Sequence, residues 1–371
     1  MSKARELADL GSVTTRLDEV GNADGALSNR NLIINGAMQV AQRGTSTSGT
    51  TGSGYFAADR WDKGNISLGT WTVSQETDAP DGFSNSMKYL CTTAAASPAA
   101  GGYLTFRQRI KGQNTQHLKF GTSDAVNMTC SFWVKSNVTG TYTLALEHDR
   151  GGGENGKTYT INAADTWEYK TLTYSGQTTT AIPNDNAVGL ELQFWLSTGP
   201  TYNSGTFTED TYTTTSANRV SPNQANLASA TSNYWQITGV QLEVGDTATP
   251  FEHRSYGDEL ARCQRYFQKF WHDASANGFT LSMLGTYWNA TEHYCSLPLT
   301  TTMRANPSLL YSDVQVLRVF GNGTSNSSSN VGIDAVGATS LELNVSSSNT
   351  ASSVFVRINN SDDWLALDAE L

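Results

Sequence analysis

Charge, cysteine, histidine and long apolar runs are all scarce in this sequence, and each shortage closes off a class of function. Charged residues make up 16% of the chain, against roughly 25% in ordinary globular domains. Gly, Ser, Thr and Asn fill the gap, a mixture suited to strands joined by many turns. Lysines and arginines are scattered singly and the formal net charge is −10. With no extended basic surface to neutralise phosphates, nucleic acid is not expected as a partner. No stretch reaches the ~18 apolar residues of a membrane span, and the opening Met1-Ser-Lys-Ala-Arg-Glu-Leu7 lacks the apolar heart of a signal peptide. The expectation is a protein made in the cytoplasm and not inserted in a membrane.

The cysteines, Cys91, Cys130, Cys263 and Cys295, stand too far apart for paired zinc-ligand spacing and read as buried small hydrophobes. His117, His148, His253, His272 and His293 show neither H-x-H nor H-E-x-x-H spacing, and no G-x-S-x-G elbow is present. No catalytic residue, metal or cofactor is therefore expected. Gly151-Gly-Gly-Glu-Asn-Gly-Lys-Thr158 matches the phosphate-loop pattern letter for letter. That motif needs a helix after it. Here strand-like Tyr159-Thr-Ile-Asn162 follows, so a hairpin turn is expected.

At 371 residues the chain exceeds what one core usually serves, which predicts two compact domains plus short adaptors. Leu10, Val13, Leu17 and Val20 fall on one seam of a short helix or coiled coil within residues 1–30. Such a segment either needs partner chains to hold it or is a frayed terminus. From 31 to 254 short apolar or alternating runs predict strands at Asn31–Val40, Trp71–Gln75, Tyr103–Ile110, Met128–Val134, Tyr142–Leu146, Trp167–Tyr174, Val188–Leu196 and Tyr234–Val244. Their spacing predicts an antiparallel jelly-roll sandwich. Trp61, Trp133, Trp167 and Trp195 are assigned to its core.

A long polar stretch, 197–233, carries Tyr202, Phe207 and Tyr212. Loops of this length inside a domain tend to be functional. These three rings, with Tyr287 and Trp288 further on, are the receptor-contact candidates, because flat rings can stack on the apolar face of a sugar. Packing between subunits is the other reading of the same residues. A helix is predicted over 255–276, capped by Ser255 and Asp258, with Leu260, Phe267, Phe270 and Trp271 on its apolar face. That face either packs on its own domain or lines a three-fold axis, Leu260 and Phe267 being the seam candidates. Residues 277–371 predict a smaller, distal β-sandwich domain with a flexible polar tip at Gly321–Asn330. Glu191 and Glu243 lie in strand-like segments and read as outward-facing alternation.

Asn31-Leu-Ile-Ile-Asn-Gly-Ala-Met-Gln-Val-Ala-Gln-Arg43 followed by Ala58-Asp-Arg-Trp61 resembles the opening of carbohydrate-binding-module-like jelly rolls in bacteriophage tail fibres and tail-tip proteins. Phe106-Arg-Gln-Arg-Ile110, Ser131-Phe-Trp-Val-Lys135, Trp235-Gln-Ile-Thr-Gly-Val-Gln-Leu-Glu-Val-Gly245 and Thr249-Pro-Phe-Glu252 follow in the same order. Arg262-Cys-Gln-Arg-Tyr-Phe267 and Leu367-Asp-Ala-Glu-Leu371 complete a pattern most similar to marine podovirus fibres. The resemblance implies a virion-borne homotrimer that meets a tail adaptor or shaft protein at its start and binds a host-surface glycan or other receptor without catalysis. A tail connector lacking a receptor, and a polysaccharide depolymerase, are the rival readings. Where related modules often carry an acidic residue that serves a calcium ion, this chain has Asn35-Gly36-Ala37-Met38, which argues against calcium.

Overall fold

The computed structural model describes residues 29–271, 282–289, 291–321, 323–351, 353–358 and 363–371. The predicted seam Leu10, Val13, Leu17 and Val20 lies outside the described residues. The chain divides into two units, Met1–Arg254 and Ser255–Leu371. The architecture is mainly β, an antiparallel jelly-roll-type sandwich followed by a helix-led, smaller β unit.

In the first unit the strands are β1 (Ser46–Thr50), β2 (Gly54–Tyr55), β3 (Asp62–Ile66), β4 (Thr70–Glu76), β5 (Ser86–Thr93), β6 (Tyr103–Lys111) and β7 (Met128–Ser136). They continue as β8 (Gly140–His148), β9 (Gly153–Ile161), β10 (Glu168–Tyr174), β11 (Val188–Thr198), β12 (Tyr212–Thr213) and β13 (Tyr234–Val244). Two sheets result, a six-stranded one in the order β1-β4-β5-β13-β7-β10 and a seven-stranded one in the order β12-β9-β8-β11-β6-β3-β2. Period-two alternation builds the core between them. Cys130, Phe132 and Val134 of β7 point inward with Leu190, Leu192, Phe194 and Leu196 of β11. Phe106 stacks on Trp61 with ring centres 4.3 Å apart, and Phe132 meets Phe194 edge-on at 5.0 Å.

The segment 31–40, predicted as a strand, is instead an irregular stretch that side-chain amides hold in place. Asn31 Oδ1 accepts from the backbone N–H groups of Ile33 and Leu242, both at 3.0 Å. Asn35 Nδ2 donates to the carbonyls of Val40 and Asp59 at 2.8 and 3.0 Å. Asn35 and Met38 take left-handed backbone angles, φ 60° and 56°, and a Cβ on Gly36 would sit 2.1 Å from the Val240 carbonyl oxygen. The Asn-Gly pair is thus a tight plug against β13, which local apolar content could not reveal.

The second unit opens with a helix, Tyr256–Gln264. Its cap is the one foreseen: Ser255 Oγ accepts from the Asp258 N–H at 3.2 Å and donates to the Asp258 carboxylate at 2.7 Å. The helix stops well short of residue 276. Phe267–Trp271 forms strand β14, paired with β23 (Trp364–Asp368). A short aromatic run satisfies helical and strand spacing alike, and pairing with distant β23 decides between them. Leu260 and Phe267 therefore do not share a helical stripe. Leu260 is half-buried on the helix, whereas Phe267 is a buried strand residue.

Strands β15 (Ser282–Asn289), β16 (Glu292–Pro298), β17 (Ser308–Tyr311), β18 (Leu317–Gly321), β19 (Thr324–Ser327), β20 (Asn330–Val336), β21 (Ser340–Ser346) and β22 (Ser353–Ile358) complete the unit. Its sheets run β14-β23-β17 and β19-β18-β22-β15-β16-β21-β20. The polar tip predicted at Gly321–Asn330 contains paired strand β19, and Asn326 Nδ2 donates to Ser348 Oγ at 2.7 Å. Hydrogen bonding rather than apolar burial orders it.

Candidate functional site

The three aromatic residues of the long 197–233 stretch point inward. Tyr202 lies on a four-residue helix, Pro200–Asn203, with its ring 5.2 Å from that of Trp195 and 5.8 Å from that of Tyr103. Phe207 covers Gly156, where an added Cβ would lie 2.7 Å from the ring. Tyr212 belongs to β12, pairs with β9 and meets Phe120 edge-on at 6.5 Å, and burial raises its hydroxyl's pKa. Gln224 ties the far end down, donating to the Trp195 carbonyl and accepting from the Thr143 N–H, both at 2.8 Å. These aromatics anchor the loop on the seven-stranded sheet.

Beneath that loop a row of carboxylates crosses the outer face, Glu154, Glu147 and Glu191 standing directly opposite one another on β9, β8 and β11. Adjacent like charges are costly unless neutralised. Glu191 accepts from Arg109 Nε at 2.8 Å, and Arg107 Nε reaches Asp62 at 2.6 Å. Arg219 of the loop lies 3.4 Å from Glu154 and 3.7 Å from Glu147. Burial, with Glu147 alongside, pushes the Glu154 carboxyl up to about 8. Burial and then Glu191 raise that of Glu147. Glu191 and Glu243 face outward as alternation requires, yet both are buried beneath covering segments. Glu243 accepts from the Thr249 N–H at 2.8 Å and from its hydroxyl at 2.6 Å.

The phosphate-loop look-alike is the β8–β9 hairpin and the start of β9. Its backbone from Gly153 onward is paired with β8, Lys157 Nζ lies 3.7 Å from Asp210, and the Thr158 hydroxyl donates to Glu209. No helix N-terminus follows to present amides to a phosphate. Among the described residues no group of His, Cys, Asp or Glu is placed to hold a metal ion. All four cysteines are buried thiols. Among the described residues, no helix is long and apolar enough to cross a membrane.

In the second unit Trp288 is 70% exposed and Tyr287 39%. The β15–β16 register shifts between Tyr287 and Asn289, a bulge of the kind that re-aims a side chain. The Trp288 ring meets Tyr294 edge-on at 5.7 Å, and Asn344 Nδ2 lies 3.4 Å from the Tyr294 hydroxyl. Tyr287 sits 6.1 Å from the ring of His293. Asn289 Nδ2 donates to Glu292 at 2.6 Å. Further along the same sheet Leu284 and Phe355, directly opposite in the ladder, are also exposed. The exposed Trp288 ring thus stands beside Tyr294, in a hairpin that also carries the Asn289–Glu292 pair.

Trp61 lies in the core between the sheets, but Trp195 is buried outside it, on the outer face of the seven-stranded sheet against Tyr103 and Tyr202, and Trp133 and Trp167 are only half-buried, so these three depart from the core assignment. Trp133 shares the outer face with Ser131 and Lys135, and that parity in Ser131-Phe-Trp-Val-Lys135 was the signal available. Trp167 lies under the Lys135 ammonium at 5.2 Å and donates to Asp78 at 3.2 Å.

No family model matches the chain, and no curated protein matches it either. Among solved structures it is similar to the enzymatically active domain of bacteriophage CBA120 tailspike protein 4, at 16% identity and TM-score 0.31 over 58% of this chain and 21% of that one. TmCBM61 in complex with β-1,4-galactotriose shows 8% identity and TM-score 0.30 over 58% of this chain and 100% of the module. A family 11 carbohydrate-binding module of Clostridium thermocellum shows 13% identity and TM-score 0.27 over 54% and 99%. The chain thus spans about a fifth of the tailspike structure's length but the whole of TmCBM61. Likeness this slight leaves the site chemistry to be read from this chain's own residues.

Proposed function

We propose that this chain is a bacteriophage tail-fibre subunit that holds a virion to a host-surface glycan by non-catalytic binding, acting as a homotrimer attached to a tail adaptor or shaft protein. The observation that carries this reading is Trp288, 70% exposed on a bulge of β15. An indole left this open loses the hydrophobic benefit of burial and gains it when a flat apolar surface covers it. The apolar face of a pyranose is such a surface, and polar side chains of the same hairpin, Asn289 and Glu292, are the groups to bind its hydroxyls. A single shallow contact of this kind is weak. Three linked copies multiply it through effective concentration. The ordered tail-fibre motifs of the sequence support the same reading.

The test is retention of the labelled full chain on bacterial cells, with sedimentation run alongside to check the trimer. Wild-type protein stays bound, and mild periodate oxidation of the cell surface releases it. Trp288→Ala remains trimeric and loses about tenfold in affinity per contact. Equal retention of both proteins, or a monomer at micromolar concentration, contradicts the proposal.

A further inference from the structure

Charge is sorted by strand across the larger sheet of the second unit, whose order is β19-β18-β22-β15-β16-β21-β20. Its strands carry two arginines, Arg318 on β18 and Arg357 on β22, both to one side of β15. Their three carboxylates, Glu292 on β16, Glu342 on β21 and Asp334 on β20, all lie to the other side. The face they occupy follows from period-two alternation. Val319, Val354, Val356, Cys295, Leu341 and Leu343 fill the core, so Arg318, Arg357, Glu292 and Glu342 project from the outer face. Asp334 joins them there, since it acts on the outward Tyr294 hydroxyl, whose pKa desolvation, then Asp334 and Glu292, raise.

Between the two flanks runs an apolar row. Phe320, Phe355 and Leu284 stand directly opposite one another on β18, β22 and β15, with Phe355 50% and Leu284 72% exposed. One row along, Arg318 and Arg357 are directly opposite as well. Arg357 lies over the Phe320 ring at 5.3 Å. Like charges side by side on one face are costly unless neutralised, and among the described residues Arg318, Glu342 and Asp334 have no ion-pair partner. Exposed apolar surface rimmed by charge in this way marks a contact surface.

We infer that this face is a seam between copies of the chain, the arginine flank of one copy seated on the carboxylate flank of the next, with the Phe320–Phe355–Leu284 row covered between them. The occupant is a second copy because one face carries both halves of the match. An anionic amphiphile would suit the arginines and the apolar row but would be repelled by the carboxylates. Flank-to-flank contacts repeated head to tail close a ring in which every flank is satisfied. The inference rests on the homotrimer proposed above and names the surface that joins it. Trp288 stays outside the covered row, because it lies past Thr286 and Ser353, the last pair that β15 makes with β22. It therefore remains open to a sugar at the end of the seam.

The experiment places Arg318→Cys and Glu342→Cys together in the full chain, oxidises it mildly and reads a non-reducing gel. Within one chain the two positions are separated by four strand spacings, roughly 19 Å, well beyond the ~7 Å that a disulfide spans between Cα atoms. The native cysteines are buried. The double variant is expected to cross-link between chains up to a trimer, and each single variant is not. Leu284→Glu with Phe355→Glu, both at exposed positions, should abolish the cross-link. Sedimentation adds a charge swap: Arg318→Glu with Arg357→Glu weakens association at least tenfold, and adding Glu342→Arg with Asp334→Arg restores it. No cross-link between chains, or association unmoved by the arginine reversals, overturns the inference. If the wild-type chain still sediments as a trimer in that case, the proposed trimer stands and only this seam falls. A wild-type monomer at micromolar concentration overturns both, whereas a cross-linked dimer keeps the seam and overturns the trimer.

Discussion

Glu154 accepts a hydrogen bond from Trp195 Nε1 at 2.8 Å, although both side chains lie on the outer face of their sheet. The loop that covers them makes this pair an interior contact, and its energetics follow from that. Burial, then Glu147, raise the Glu154 pKa from 4.5 to about 8. The folded chain keeps a proton that the unfolded chain releases, so this group's stabilisation is complete below pH 4.5 and is lost as pH rises through about 8. Its ceiling is roughly 1 kcal/mol per pH unit across that window. Glu154→Gln, neutral at every pH, should flatten the fall of the denaturant midpoint between about pH 5 and about pH 8. Parallel pH curves for the two proteins would remove the buried carboxyl from the account.

Phe207 on Gly156 is one of the contacts that fasten the 197–233 loop. Phe207→Ala should destabilise the first unit by about 1–2 kcal/mol, less than a full core truncation because the ring is half-buried. Protease cleavage within 197–233 should speed up correspondingly. Unchanged cleavage would mean that Tyr202, Tyr212, Gln224 and Arg219 hold the loop without Phe207.

Lys157 has its charge beside Asp210, and the backbone around it is committed to the β8–β9 ladder. ATP with magnesium should therefore show no saturable binding by calorimetry, and Lys157→Ala should leave that result unchanged. Binding that saturates and disappears in Lys157→Ala would restore a nucleotide site.

The sandwich was legible because β7 and β11 alternate cleanly, and the cap at Ser255 because its spacing is local. What stayed hidden depends on partners distant in sequence. The strand at Phe267–Trp271 needs β23, the irregular 31–40 stretch needs β13, and the inward turn of Tyr202, Phe207 and Tyr212 needs a sheet face to turn toward. Trp133 was misassigned for a different reason. A tryptophan within an apolar run looks like core, and only the parity it shares with Lys135 places it outside. Trp288 was marked by its polar surroundings, while the bulge that exposes it left no sequence signal.

The most direct test of adhesion without catalysis reads binding and chain length in one tube. Surface polysaccharide is extracted from cells that retain the labelled protein, incubated with excess full chain, and followed by light scattering together with a reducing-end assay. The account predicts a saturable complex, polysaccharide of undiminished length and no new reducing ends over hours, with the complex weakened in Trp288→Ala. Growth of reducing ends with falling polysaccharide mass would make the chain a depolymerase, and no complex at all would leave it a spacer; either result contradicts the account.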